Sequence, residues 1–200
     1  MELNNLTDFI GTKFIKTFDL KSEFDLNEIH SLLKQQSWVD EELIISDVNN
    51  DLSLSPKNLH PTLENFKRHF EDENFRTHII DILFSWDQFH FHWNNITPER
   101  LFEITRINAQ FKKNPPNHDG AVHQETRNIV CAGMVYFIPE EDINQSTAFY
   151  INDNREKPTY PPTGMGKGWL AMNIWSHTHQ GRNLSIHDRY TLVFFLNLLM

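Results

Sequence analysis

Short apolar segments recur through the second half of this chain, with no helical pattern between them, and they limit its possible folds more than any other feature. They cover residues 101–112, 128–138, 146–151, 168–175 and 190–199. Loops that contain proline, glycine and asparagine separate them. Strands of this length and spacing are typical of antiparallel sandwiches and barrels. We therefore predict that this half of the chain is all-β.

The first half has a different pattern, in which apolar residues recur at helical spacing. Residues 25–36 carry four apolar side chains that suit a short amphipathic helix. A second helical stripe runs from residue 62 to 85, with an expected break near residues 71–74. The polar residues 49–61 contain two prolines and predict a loop. Residues 89–93 alternate between aromatic and histidine, which favours a strand or an extended segment.

The two patterns together predict a mainly β protein with N-terminal helices. We assign residues 1–98 to a mostly helical covering region and residues 99–200 to the β core. The helices are expected to pack on one sheet, because an apolar sheet face must be covered. The boundary near residue 97 is then a boundary between layers of one integrated domain. At 200 residues and 39% hydrophobic content, the chain is long enough to form a core.

Composition excludes several classes of function. The formal net charge is −9, so no basic excess is present to neutralise phosphates, and a nucleic-acid partner is not expected. The single cysteine, Cys131, excludes an internal disulfide framework and a cysteine-based zinc cluster. No apolar run approaches the roughly 20 residues that span a bilayer. The first residues lack the positive region of a signal peptide, so we expect a cytoplasmic protein without a membrane partner.

Histidines and one carboxylate form the candidate metal site. His123 and Glu125 are two residues apart, so on a strand their side chains share a face. A later histidine, either His177 or His179, completes a set of two imidazoles and one carboxylate. Such a set binds Fe(II) and leaves coordination positions open for a bidentate cosubstrate and oxygen.

An arginine at the start of the last apolar segment is the candidate anion site. Arg189 either ends this strand at the solvent edge or projects inward, where its planar guanidinium can hold a carboxylate. Thr191 lies two residues later and shares its face. His179 precedes Arg189 by ten positions, and this spacing favours His179 over His177 as the ligand.

The order of these motifs along the chain resembles that of a known family over roughly residues 99–200. His123-Gln124-Glu125, the strand-like segments 132–139 and 147–150, and His179 before Arg189-Tyr190-Thr191 look like the Fe(II)- and 2-oxoglutarate-dependent dioxygenases. The branch they resemble includes prolyl-hydroxylase-like and many bacteriophage members. The resemblance implies a double-stranded β-helix, which is a jelly-roll or cupin-like barrel, with helices packed on one sheet.

The resemblance also implies roles for individual residues. His123, Glu125 and His179 would bind Fe(II), and Arg189 would bind the C5 carboxylate of 2-oxoglutarate, the cosubstrate. Thr191 or Tyr136 would add a hydrogen bond to that cosubstrate. The implied reaction is hydroxylation of an unidentified substrate, with release of succinate and CO2. The acid in this chain is glutamate, where aspartate is the usual residue.

Two other functions are compatible with the same pattern. His177 together with the three candidate ligands resembles the three-histidine, one-glutamate set of cupin-type metalloenzymes that use no 2-oxoglutarate. A non-enzymatic jelly-roll binding module is the third possibility. The substrate would be a small molecule or a protein, and a homodimer is a possible assembly.

Overall fold

The computed structural model describes residues 1–9, 12–40, 54–152, 154–173 and 177–199. Its helices are α1 (Leu26–Gln35), α2 (Pro61–Glu71), α3 (Glu73–Phe84), α4 (Asp87–His92) and α5 (Pro98–Ile104). Its strands are β1 (Glu2–Asp8), β2 (Ile15–Lys21), β3 (Trp38–Asp40), β4 (Leu54–Pro56), β5 (Thr105–Asn114), β6 (His118–Asp119), β7 (Ile129–Tyr136), β8 (Ala148–Ile151), β9 (Lys167–Met172), β10 (His177–Gln180), β11 (Arg182–Asn183) and β12 (Arg189–Leu198).

The first three helices begin and end where the sequence predicts. α1 follows Asp25, whose carboxylate accepts a hydrogen bond from the Asn27 N–H at 2.9 Å. The break between α2 and α3 falls at Asp72, whose carboxylate accepts from the Phe75 N–H at 2.7 Å. Both the short amphipathic helix and the interruption of the second stripe are confirmed.

The prediction for residues 89–93 is wrong, because most of this segment lies in helix α4. Phe89 is fully buried and stacks on Trp93 with the ring centroids 6.1 Å apart. These two aromatic residues are four positions apart, so they share a helical face as well as the strand face that their alternation suggested. A five-residue pattern cannot separate the two periods, and here the helix prevails.

The N-terminal region, which was predicted to be a mostly helical covering region, also contributes strands. β1 and β2 form an antiparallel hairpin, and β2 pairs with β9. β3 pairs with β4, and β4 adds to the edge of β5. The predicted loop over 49–61 therefore contains a short strand, and residues 49–53 lie outside the described residues. The division of the chain at residue 98 stays a prediction.

A large antiparallel sheet carries the core, in the order β1-β2-β9-β7-β12-β5-β4-β3. The predicted segments of the second half correspond to its strands β5, β7, β9 and β12 and to β8, with one correction. Residues 101–104 of the first segment lie in helix α5, so the all-β prediction for this half is wrong at its start. Residues 174 and 175 lie outside the described part. A second layer consists of the pairs β6–β11 and β8–β10. Two isolated bridges extend it, His123 with His179 and Phe149 with Thr159.

The two faces of the large sheet have different neighbours. On one face Phe194 of β12 contacts Phe70 and Phe75 from the helices, with centroids 5.7 and 5.4 Å away. On the other face Trp169 of β9 contacts Phe149 of the second layer, with centroids 5.0 Å apart. The helices therefore cover one sheet face, as predicted, and the candidate site lies between the two layers of strands.

None of the helices in the described part of the chain has the length and apolar composition that crossing a membrane requires.

Candidate metal and anion site

Three predicted metal ligands come together between the strand layers. One nitrogen from each of His123 and His179 and one carboxylate oxygen of Glu125 all lie within 4.8 Å of one another. All three residues are partly buried. The backbones of the two histidines form an antiparallel bridge, with N···O distances of 2.9 and 2.8 Å. This bridge brings the histidines together although they are far apart in the sequence.

Hydrogen bonding gives each ligand a defined orientation. Nδ1 of His123 lies 3.0 Å from the carbonyl oxygen of Ala121. In the tautomer with the proton on Nδ1, this ring donates to Ala121 and its Nε2 is available to a metal ion. Nε2 of His179 lies 3.2 Å from Oε1 of Glu125. Adjacent ligands held about 2.1 Å from an ion at right angles are about 3 Å apart, so this pair already has suitable spacing.

Two imidazoles and one carboxylate fit a non-haem Fe(II) ion in chemical type as well as in spacing. This donor set is typical of mononuclear iron oxygenases, where it occupies one face of the ion. A small cavity of about 20 Å³ borders Glu125 and His179 and is also lined by Gln124 and Asn173. It has room for about one water molecule beside this group.

Arg189 points into the space between the layers, which decides between the two readings of its position. It lies at the start of β12 and is 0% exposed. Its guanidinium donates to the Arg182 carbonyl oxygen at 3.0 Å and to the Thr147 hydroxyl at 3.1 Å. It also lies 2.9 Å from the Met134 sulfur and 5.4 Å from the ring centroid of Tyr136. The solvent-edge alternative for Arg189 is wrong.

Tyr136 belongs to the same polar cluster. Its hydroxyl lies 3.1 Å from the Thr147 hydroxyl and accepts hydrogen bonds from the Thr147 N–H at 3.1 Å and the Trp169 Nε1–H at 3.2 Å. Neither Thr147 nor Trp169 was among the candidate site residues predicted from the sequence. The sequence pattern of β9 indicates that Trp169 faces inward. It does not show whether the indole donates a hydrogen bond or only packs.

Trp169 connects the two groups of residues. Its ring centroid lies 5.9 Å from that of His179, and its Nε1 reaches the Tyr136 hydroxyl beside Arg189. From there the path continues to the buried guanidinium, because the Tyr136 hydroxyl contacts the Thr147 hydroxyl, which accepts a hydrogen bond from Arg189. A ligand that bridges a metal and an arginine needs both groups in the same space between the layers.

Thr191 is placed next to this cluster. It is 1% exposed, and its backbone pairs with that of Tyr136 across β12 and β7. Within the described part of the chain its hydroxyl oxygen is buried without a hydrogen-bond partner. A buried hydroxyl of this kind costs stability unless a ligand satisfies it. Its predicted contact with a cosubstrate stays a prediction.

The structure also describes the surroundings of the alternative ligand and of the single cysteine. His177 begins β10 and its backbone pairs with Ile151, but its side chain lies outside the described residues. His118 and Asp119 form β6 and pair with β11. Cys131 is fully buried, and burial raises the pKa of its thiol to about 12, so it is a small residue of the core.

Comparisons with known proteins place the fold. A scan against protein-family models finds no match, and a search of the curated proteins finds none. Solved structures do match over most of the chain. A prolyl-4-hydroxylase from Pseudomonas putida is 8% identical with a TM-score of 0.57, over 96% of each chain.

Two further structures align to a similar extent. An oxidoreductase of the 2OG-Fe(II) oxygenase family from Burkholderia pseudomallei is 14% identical with a TM-score of 0.54, over 92% of this chain and 85% of that chain. HygX from Streptomyces hygroscopicus, solved with nickel, 2-oxoglutarate and hygromycin B, is 9% identical with a TM-score of 0.58, over 93% and 83%. The chain therefore has the mostly β, jelly-roll fold that these oxygenases share.

Proposed function

We propose that this protein is an Fe(II)- and 2-oxoglutarate-dependent oxygenase. It hydroxylates a small-molecule or protein substrate and releases succinate and CO2. The observation that carries the proposal is a His-Glu-His group between the strand layers that is connected to the buried Arg189 by a chain of contacts through Trp169, Tyr136 and Thr147. The cofactors of HygX and the fold shared with prolyl hydroxylases support the same chemistry.

In this proposal His123, Glu125 and His179 hold the Fe(II) ion. The ion, with its cosubstrate, supplies the oxygen-activating chemistry when bound. The protein contributes the orientation of the ligands: the His123 ring is fixed by Ala121 and the two histidines are fixed by their backbone bridge. Aromatic side chains beside the group keep water away, since Phe149 and Trp169 both lie within 6 Å of the His179 ring.

Arg189 binds the distal carboxylate of 2-oxoglutarate. A guanidinium offers two parallel N–H donors, which match a carboxylate. Full burial strengthens this electrostatic attraction relative to one in water. The hydroxyls of Thr147 and Tyr136, already within hydrogen-bond distance of each other beside the guanidinium, add donors to the same carboxylate. Thr191 adds a hydrogen bond to this carboxylate from its hydroxyl, which has no other partner among the described residues.

Anaerobic titration tests the proposal. Fe(II) and 2-oxoglutarate added together should give a weak visible charge-transfer band, which neither gives alone. His123→Ala should abolish the band by removing a metal ligand, and Arg189→Ala should raise the 2-oxoglutarate concentration needed without changing the metal content. His187→Ala and Arg106→Ala are matched controls, because both residues are exposed, and each should behave as wild type.

Other results would support the other functions. Metal binding that is lost in His123→Ala, with no band and no effect of Arg189→Ala, would favour a cupin-type enzyme without 2-oxoglutarate. A folded protein that binds no divalent metal would favour a non-enzymatic module. Either result contradicts the proposal.

A further inference from the structure

The segment that carries Glu125 is not held by a sheet. His123 makes only an isolated bridge, and the chain returns to a regular strand at Ile129, the start of β7. Between these points the backbone makes a turn, closed by a hydrogen bond from the Ile129 N–H to the Thr126 carbonyl oxygen at 3.0 Å. The position of a carboxylate on such a segment therefore depends on the contacts that fix the segment.

One side chain outside the segment, that of Asn173, supplies three contacts with its backbone. Nδ2 of Asn173 lies 2.8 Å from the Thr126 carbonyl oxygen, 2.9 Å from that of Ile129 and 3.3 Å from that of Glu125 itself. Its own backbone N–H donates to the Val130 carbonyl oxygen at 3.1 Å. Asn173 follows β9 directly, so it connects the end of the central sheet to the segment that carries the ligand.

Chemistry explains why an asparagine suits this position. The carboxamide carries two N–H donors on one nitrogen, and three carbonyl oxygens share them. Aspartate of the same shape would present only acceptors to those carbonyls. Asn173 also lines the cavity beside Glu125 and His179, so it lies close to the candidate metal group.

We propose that Asn173 is a positioning residue that holds residues 125–129 in place and thereby fixes the Glu125 carboxylate for the metal ion. This inference rests on the proposed function. Residues behind metal ligands orient them, and their loss typically costs about 10–100-fold in metal affinity.

The test is a titration of the metal-free, full-length protein with Mn(II), followed through the electron paramagnetic resonance of the free ion. Asn173→Ala should raise the Mn(II) dissociation constant by about tenfold or more. Asn173→Gln keeps the carboxamide and should recover part of that loss. Thermal unfolding of the metal-free variants shows how much stability each one loses and that each is folded. A merely structural role would lower stability and leave the metal affinity of the folded protein unchanged, so the Mn(II) dissociation constant decides.

Asn128→Ala is the matched control. Asn128 lies in the same turn, and its side chain accepts a hydrogen bond from the Thr126 hydroxyl and not from the backbone of the segment, so Mn(II) affinity should not change. The inference is overturned if Asn173→Ala binds Mn(II) as wild type does, if Asn173→Gln is as weak as Asn173→Ala, or if Asn128→Ala weakens binding equally. Should Asn173→Ala fail to fold, Asn173→Ser replaces it, and wild-type affinity there overturns the inference too.

The same titration separates the two proposals. Folded wild-type protein that binds no Mn(II) contradicts the proposed function, and the inference with it. Wild-type protein that binds Mn(II), loses it in His123→Ala and keeps it in Asn173→Ala contradicts the inference alone.

Discussion

Glutamate rather than aspartate provides the carboxylate of the candidate metal group, and the backbone around it shows why length matters. Glu125 lies on the irregular segment between the His123 bridge and β7, and not on a strand. Its Oε1 nevertheless lies 3.2 Å from Nε2 of His179. The longer side chain therefore covers the distance from a segment that has already left the sheet.

Shortening this side chain should weaken metal binding. Glu125→Asp withdraws the carboxylate by about 1.5 Å, the length of one C–C bond, and we expect the Mn(II) dissociation constant to rise about tenfold. Glu125→Gln keeps the length but loses the charge and should weaken binding at least as much. Titration with Mn(II) measures both. Glu141→Asp is the control, because Glu141 is exposed and lies beside Lys167. Tighter binding by Glu125→Asp would contradict this account.

At the residue scale, short spacings in the sequence indicated candidates that lie together in the structure. His123 and Glu125 do come together, but Glu125 lies on an irregular segment, so the shared strand face predicted for this pair is wrong. Arg189 is buried, as its inward alternative required, and the preference for His179 over His177 as the ligand stays a prediction. Thr147 could not be found in this way. Its contacts with Arg189 and Tyr136 depend on how the second layer of strands packs against the first, and no local pattern encodes that packing.

At the scale of elements, the contact between β7 and β12 depends on one missing side chain. Gly133 pairs with Phe194, and a Cβ at Gly133 would lie 2.1 Å from the Phe194 ring. The ring lies over the glycine and reaches Phe70 and Phe75 of the helices. The helical layer is therefore fastened to the sheet partly through this close approach.

Gly133→Ala should destabilise the protein by forcing Phe194 out of its position. Overpacking of this kind typically costs about 1–3 kcal/mol, which urea unfolding measures. In the Phe194→Leu variant, the further change Gly133→Ala should cost less stability than it does in the wild-type protein, since the smaller side chain leaves space for the added methyl group. Gly181→Ala is the control, because a Cβ there meets its nearest neighbour at an ordinary 3.7 Å. Equal stability of Gly133→Ala and wild type would show that the ring moves freely.

The packing of α1 on the sheet introduces a pH dependence. The His30 ring lies against Tyr190, with centroids 5.8 Å apart. Burial, and secondly the charge of Lys34, lowers the pKa of His30 below its ordinary value of 6.5. The folded state therefore resists protonation more than the unfolded state does. This histidine's contribution to stability is complete above pH 6.5 and declines as the pH falls below that value.

Replacing His30 should flatten that decline. Thermal unfolding of wild type and His30→Gln is compared between neutral pH and about pH 5, and the variant should lose less stability on acidification because it cannot take up the proton. His187→Gln, at an exposed position, should follow the wild-type curve. Parallel curves for wild type and His30→Gln would contradict the assignment.

At the scale of the whole molecule, the features that were predicted correctly depend on residues close together in the sequence. The feature that was missed depends on residues far apart. Helices on one sheet face and a β-rich second half follow from local periodicity, and both are confirmed. The hairpin of β1 and β2 was missed, because its pairing partner is β9, from the far end of the chain. Its place in the sheet brings Ile15 to the cavity beside the metal group, so the N-terminal region helps to form the candidate site.

The candidate ligands come from distant parts of this architecture, and this links binding to global stability. His123 and Glu125 precede β7, His179 lies on β10 and Arg189 on β12, so the set exists only in the folded chain. A ligand that binds only the folded state stabilises it by about 2.7 kcal/mol at a hundredfold excess over its dissociation constant. For a protein of this size that corresponds to a rise of about 5–10 °C in Tm.

Mn(II) with N-oxalylglycine, an unreactive analogue of 2-oxoglutarate, should produce this rise, and EDTA should reverse it. His123→Ala should lose the response to the metal, whereas Arg189→Ala should keep the response to Mn(II) alone and lose the additional effect of the analogue. His187→Ala should respond as wild type does. The group of His123, Glu125 and His179 is the one set of three candidate ligands found among the described residues. A rise that persists in His123→Ala would therefore contradict the assignment of the metal to this group. An additional effect that persists in Arg189→Ala would mean that the analogue's distal carboxylate is held by other residues than the buried guanidinium.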